Sequence, residues 1–181
     1  MNRRLLCAAL LVPLLVPLAA PVLAAANPPE LSDWTPQGAA TMRFFGLRIY
    51  EAKLWAKGGA VDANNWASTP LALELTYARS LTGRDIAKRS LVEMRRQGEI
   101  STANADKWLA DMEAAFPDVN KGDRISGVIT EPGAGIQFFI NGKPGRKVPD
   151  AAFARLFIGI WLAPQTSEPT LRKALLESAL D

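Results

Sequence analysis

Three side chains that could bind an anionic or phenolic group lie close together in the sequence: Arg43, Arg48 and Tyr50. A guanidinium beside a phenolic hydroxyl can hold a carboxylate or a phenolate through charge-assisted hydrogen bonds. The same spacing also fits solvated arginines and a tyrosine at the edge of a hydrophobic core. These residues are therefore the first candidates for a ligand site, with Arg43 and Tyr50 as the catalytic candidates if that site is catalytic.

The residue types that are absent from the sequence narrow the chemistry further. The chain contains no His, so Ser-His-Asp and Cys-His triads and imidazole metal sites are excluded. Its single cysteine, Cys7, cannot form an internal disulfide or a thiolate zinc site. The phosphate-binding patterns GxGxxG and GxxxxGK[ST] do not occur. The sequence therefore predicts no metal and no cofactor.

The charge balance argues against a nucleic-acid partner. The chain has 21 Lys and Arg against 18 Asp and Glu, and two of the basic residues, Arg3 and Arg4, belong to a segment that we expect to be removed. Phosphate binding needs a clear excess of basic side chains. A basic stretch at 84–96 is interleaved with acidic residues, which is typical of a solvated helix face.

The amino terminus has the pattern of a secretory signal peptide. Arg3 and Arg4 precede an apolar stretch at 5–23, and small alanines follow at 24–26. We expect residues 1–24 to be cleaved, with cleavage as late as residue 26 as the alternative, which leaves a domain at 27–181. Prolines interrupt the apolar stretch, so no stable membrane span is expected after cleavage. The predicted location is periplasmic or secreted.

The periodicity of the remaining chain predicts both strands and helices. Extended segments are expected at 41–55, 71–77, 123–130 and 135–140, from alternating and β-branched residues. Helical spacing appears from Thr82 to near Gly98, from Ser101 or Thr102 to Phe116, after Asp150, and from about Ser167. Strands, two helices, strands and two helices predict an α+β domain in which helices cover one face of an antiparallel sheet.

Four segments of the sequence resemble bacterial members of the chalcone isomerase-like family. They are GAATMRFFGLRIYEAKLW at 38–55, PLALELTYARSLTGRDIAKRSLVEMRRQG at 70–98, FPDVNKGDRISG at 116–127 and FARLFIGIWLAPQTSEPTLRKALL at 153–176. Together they extend over nearly the whole expected domain. The resemblance implies an open-faced β-sandwich, in which a large antiparallel sheet is covered by a helical layer and the ligand cleft lies between them.

The resemblance also implies a set of cleft positions. In plant chalcone isomerases the cleft is lined by an Arg, hydroxyl side chains, a Lys and an Asn. Tyr50 matches the Thr of the strand. In the helical segment, Thr82 matches the Tyr, Asp85 the Lys and Arg89 the Asn. Leu156 matches the late Thr or Ser. For the arginine, Arg43 is the first candidate and Arg48 the second.

These replacements indicate binding rather than flavanone formation. An Asp at the Lys position would repel a substrate phenolate, and a Leu at the late hydroxyl position removes a hydrogen bond. A Tyr beside an Arg is similar to fatty-acid-binding members of the superfamily. The main hypothesis is a noncatalytic binder of a small amphipathic carboxylic acid, such as a fatty acid. The first alternative is an isomerase or intramolecular lyase with Arg43 as electrophile and Tyr50 as acid. The second is a protein-interaction module presenting Trp55 and Trp66, although the sequence identifies no partner.

Overall fold

A computed structural model describes residues 27–177 of the chain. The predicted signal peptide at 1–24, or 1–26, lies outside the described residues. The strands are β1 (Thr35–Phe44), β2 (Leu47–Ala56), β3 (Leu71–Tyr77), β4 (Arg124–Ile129), β5 (Ile136–Ile140) and β6 (Lys143–Val148). The helices are α1 (Gly83–Met94), α2 (Thr102–Ala115), α3 (Ala151–Leu162) and α4 (Pro169–Glu177).

The six strands form one antiparallel sheet in chain order, β1-β2-β3-β4-β5-β6. The segment expected to be extended at 41–55 is divided into β1 and β2 by a tight turn at Phe45 and Gly46, and β1 begins six residues earlier, at Thr35. Near this turn the β1–β2 register shifts between Met42 and Arg43. The shift determines which side chains of the hairpin share a face.

Local capping positions the helical layer. The side chains of Thr82, Ser101 and Asp150 each accept a hydrogen bond from a backbone N–H in the first turn of α1, α2 and α3. Such caps satisfy amide groups that have no partner within the helix. Apolar residues of these helices pack on one sheet face, where Phe116 and Phe157 lie 5.0 and 5.2 Å from the Phe138 ring. The main core therefore lies between the sheet and the helices.

The amino-terminal segment covers part of the opposite sheet face. Leu31 and Trp34 pack with Trp55, which is 1% exposed, and the Glu30 carboxylate accepts hydrogen bonds from Arg124 and Ser126. Trp55 is therefore covered rather than presented to a partner. Trp66 is also buried, in the main core. The structure thus corrects the expectation that these two tryptophans form an interaction surface.

Within residues 27–177, none of the helices is long and apolar enough to cross a membrane.

Candidate functional site

A cavity of about 310 Å³ lies between the sheet and the helical layer. This volume is at the lower end of the range for small-molecule sites. Its wall combines residues of β1 to β4 with residues of α1, α3 and the segment before α4. Its apolar lining includes Met42, Phe44, Ile49, Leu75, Leu81, Ile86, Phe116, Ile125, Phe157 and Ile160. Its polar and aromatic lining comprises Tyr50, Tyr77, Asp85, Arg89, Ser90, Glu93, Trp161, Ser167 and Glu168.

Two tyrosines from neighbouring strands stand side by side in this wall. Tyr50 of β2 pairs with Tyr77 of β3, and their rings meet edge to face with centroids 6.1 Å apart. The Tyr50 hydroxyl accepts a hydrogen bond of 3.0 Å from the indole Nε1 of Trp161 on α3. This bond joins the sheet to the helical layer beside the cavity. Because the Tyr50 oxygen acts as acceptor here, its own proton remains available to a ligand.

Burial keeps both phenols protonated. It raises the pKa of Tyr50 to about 12, and the bond from Trp161 opposes that rise only in part. Burial also raises the pKa of Tyr77, and no hydrogen bond opposes the rise among the residues described. Neutral phenols donate hydrogen bonds. The two tyrosines therefore suit a ligand that offers acceptor oxygens.

A charged stripe on α1 lines another side of the cavity. Asp85, Arg89 and Glu93 follow one another at intervals of four residues and so share a helix face. The Arg89 Nη2 lies 2.5 Å from the Glu93 Oε1, and the Arg96 Nε lies 3.6 Å from the other Glu93 oxygen. Glu93 is buried, so these two guanidinium groups compensate a desolvated carboxylate.

The charged groups of the lining are mainly acidic. Asp85, Glu93 and Glu168 contribute carboxylates, and Arg89 contributes a guanidinium. An anionic ligand therefore meets a single cation in this lining, Arg89, which is already paired with Glu93. Throughout residues 27–177, no group of three or more His, Cys, Asp or Glu side chains is placed to hold a metal ion. The arrangement offers hydrogen-bond donors beside a largely apolar cavity.

Arg43 and Arg48, the arginines expected in the cleft, lie outside the cavity lining. The Arg43 Nη1 donates to the Gly46 carbonyl in the exposed turn. Arg48 pairs with Arg43 across the hairpin, and its guanidinium lies 3.9 Å from the Glu51 carboxylate. The expectation that an arginine of this hairpin faces the cleft is therefore corrected.

The reason is a β-bulge that regular alternation does not anticipate. Met42 pairs with Tyr50 and Arg43 pairs with Arg48, which leaves Ile49 without a partner. Ile49 and Tyr50 consequently both line the cavity, although consecutive strand residues normally point to opposite faces. The bulge moves Arg48 to the side of Glu51, away from Tyr50.

Of the other positions expected in the cleft, some line the cavity and some do not. Asp85 and Arg89 line the cavity together with Tyr50. Thr82 does not, because its hydroxyl caps α1 and donates to the Asp85 Oδ2 at 2.7 Å. Leu156 does not either; it packs against the core, and its carbonyl accepts from Gln97.

Several lining residues were not among the sequence candidates. Trp161 has the helical spacing of a core residue, and Glu93 lies in the stretch 84–96 whose interleaved charges predict a solvated face. The spacing of Glu93 from Asp85 and Arg89 was a usable signal, because residues four apart share a helix face. Tyr77 could have been found by pairing the first two predicted strands. No local signal indicates Glu168, since it reaches the cavity from the segment before α4.

The fold and the cavity together define a class of protein: an antiparallel sheet and a helical layer that enclose an apolar, ligand-sized space. A sequence model of the chalcone isomerase-like family matches residues 30–177, and the chain belongs to that family. An uncharacterized protein of Haemophilus influenzae is 30% identical over 143 residues, which cover 79% of this chain and 68% of that protein. The predicted family is thus confirmed.

The crystal structure of a fatty-acid binding protein from Arabidopsis thaliana has the same fold. It aligns with a TM-score of 0.61 and 13% sequence identity, covering 80% of this chain and 87% of that chain. The predicted fold class, an α+β open-faced β-sandwich of the chalcone isomerase type, is confirmed by this match and by the six-stranded sheet.

Proposed function

We propose that the protein is a noncatalytic binder of a small amphipathic carboxylic acid, such as a fatty acid. The observation that carries this proposal is the cavity of about 310 Å³, whose wall is largely apolar and contains two neutral phenols. The fatty-acid binding protein with the same fold supports the proposal.

In this proposal the apolar part of the ligand supplies most of the affinity. Each methylene that leaves water contributes about 0.8 kcal/mol, whereas one hydrogen bond to a charged group contributes about 1.5–3 kcal/mol. The acidic character of the lining reduces what a carboxylate gains there. The carboxyl group would therefore set the orientation, accepting from Tyr50 and Arg89, while the chain fills the space beside Phe157 and Ile160.

Cavity filling is the first test. Ile86→Trp places a large side chain in the cavity wall, and we expect it to abolish binding of laurate measured by isothermal titration calorimetry. Val92→Trp is the matched control, because Val92 lies on the same helix but is exposed and outside the lining. Failure of the wild-type protein to bind laurate, or normal binding by Ile86→Trp, would overturn the proposal.

Comparison of head groups is the second test. Arg89→Gln should weaken laurate binding and leave dodecanol binding nearly unchanged, because both ligands have the same chain and only laurate carries a carboxylate. Arg43→Gln should change neither affinity, since Arg43 lies outside the lining. Equal losses of laurate and dodecanol in Arg89→Gln would show that Arg89 does not select the head group.

We also propose that the protein acts in the periplasm or outside the cell, after removal of residues 1–24 or 1–26. The signal-like sequence supports this proposal. The mass of the amino-terminal peptide, measured on protein recovered from the periplasm or medium, tests it. An intact Met1 on all of the recovered protein would contradict it.

A further inference from the structure

The turn between β1 and β2 presents large apolar side chains to solvent. Phe44, Phe45 and Leu47 are 54%, 91% and 56% exposed. Among the residues described, four large hydrophobic side chains are exposed, and these are three of them. Their concentration within one short turn distinguishes this tip from the scattered exposed apolar residues of an ordinary surface. Below, these three residues are called the hairpin tip.

The backbone of the hairpin tip is unfavourable for the residue that it displays. Phe45 has a φ of +47° and Gly46 a φ of +79°. Two-residue hairpin turns with both φ values positive strongly favour Asn, Asp or Gly at the first position. A bulky aromatic residue in this conformation is an outlier. Since Asn or Gly would form the turn more easily, Phe45 is better explained by an intermolecular contact than by folding.

Two guanidinium groups flank the hairpin tip. Arg43 and Arg48 pair with each other across the strands, next to the Phe44–Leu47 pair. Arg43 bonds only to the Gly46 carbonyl within the described part of the chain, and Arg48 lies 3.9 Å from Glu51 in an exposed pair. Exposed ion pairs are weak. The tip thus combines exposed aromatic and aliphatic groups with accessible positive charge.

The hairpin tip is continuous with the cavity. Phe44 belongs to the hairpin tip and also lines the cavity. Met42, two residues before it, lines the cavity as well. Whatever surface the tip contacts is therefore adjacent to the cavity wall.

We propose that the hairpin tip docks on an anionic lipid surface, with Phe45 and Leu47 inserted at the headgroup boundary and Arg43 and Arg48 at the level of the phosphates. Aromatic and leucine side chains together with basic ones are the composition of interfacial membrane contacts, and anionic lipids attract arginines near the surface. This inference goes beyond the proposed ligand binding and does not depend on it.

The size of the patch favours a lipid surface over a protein partner. A fully buried aromatic side chain covers about 150–250 Å², so three partly exposed side chains offer a few hundred Å² at most. A stable protein interface buries about 800 Å² on each partner. A bilayer has no such requirement, because it can accept individual side chains.

Vesicle binding tests the proposal. The protein is mixed with vesicles of phosphatidylcholine containing phosphatidylglycerol, or of phosphatidylcholine alone, and the bound fraction is measured by flotation. We expect Phe45→Asn to lower the partition coefficient about tenfold or more. Its melting temperature should be unchanged or higher, because Asn tolerates positive φ. Arg43→Gln and Arg48→Gln should each lower binding to the anionic vesicles about fivefold and have little effect on phosphatidylcholine alone.

Two controls separate the possible outcomes. Val92→Asn removes another exposed apolar side chain, on α1, and should bind vesicles like the wild-type protein. Ile86→Trp, which fills the cavity, should also retain vesicle binding, so failure of the ligand proposal would not be mistaken for failure of this one. Unchanged vesicle binding by Phe45→Asn would overturn the inference. The inference would also be overturned if the wild-type protein does not bind vesicles but forms a concentration-dependent dimer that Phe45→Asn abolishes.

Discussion

The hydrogen bond between Trp161 and Tyr50 allows a quantitative test of how the cavity wall is held together. Tyr50→Phe removes the oxygen that accepts from the indole Nε1 at 3.0 Å, and Trp161 is 5% exposed. An unpaired buried donor costs about 1–3 kcal/mol. For a domain of this size each kcal/mol lowers the melting temperature by about 2–4 °C, so we expect a fall of about 2–12 °C.

Tyr77 provides the control, because it lies beside Tyr50 in the same wall and is itself buried, with 3% of its surface exposed. Since no hydrogen bond to its hydroxyl is found among the described residues, Tyr77→Phe leaves no described partner unpaired and should cost less than Tyr50→Phe. Urea denaturation of Tyr50→Phe, Trp161→Phe and the double variant gives the coupling energy. We expect about 0.5–3 kcal/mol. A coupling energy of zero, or equal costs for Tyr50→Phe and Tyr77→Phe, would refute the reasoning.

Three further outcomes follow from the structure. Gly38→Ala should lower stability by about 1–3 kcal/mol in thermal denaturation, because a methyl group there would overlap the carbonyl oxygens of Ala174 and Leu175 in α4. Stability should also fall as the pH rises from 10 towards 12, because the folded protein keeps its tyrosines protonated above their ordinary pKa. Tyrosinate absorbance measures the ionisation of these two side chains directly, since Tyr50 and Tyr77 are the only tyrosines in the sequence. Finally, burial raises the pKa of Glu74, so its ionised form lowers stability at neutral pH. We expect Glu74→Gln to raise the stability measured by urea unfolding at pH 7. This gain should disappear as the pH falls through the ordinary pKa of 4.5.

The helices were the most predictable part of the fold, because their signals are local. The predicted helix starts are Thr82, Ser101 or Thr102, and Asp150; in the structure Thr82, Ser101 and Asp150 cap the helices. A capping side chain and the amides that it serves lie within one turn of sequence. The antiparallel sheet is predicted by the order of the elements, since strands, two helices, strands and two helices are typical of an α+β domain.

The first hairpin was harder to predict because its determinants are not local. Gly38 resembles a loop residue, yet it lies within β1, where its lack of a side chain admits the backbone of α4. The turn residue Phe45 carries no turn signal, and the bulge at Ile49 leaves no pattern in the sequence. Among the residues that line the cavity, Tyr50, Asp85 and Arg89 follow from the family resemblance, whereas Glu93 does not.

The bulge in β2 also determines which polar groups a ligand can meet. Without it, Arg48 would share the face of Tyr50, and the cavity would have a second cation next to its phenols. With it, Arg48 lies near Glu51, and the cation of the cavity lining is Arg89, which is paired with the buried Glu93. Hydrogen-bond donors remain in the wall while its positive charge is compensated. Such a wall discriminates weakly by charge, so a ligand must gain most of its affinity from its apolar part.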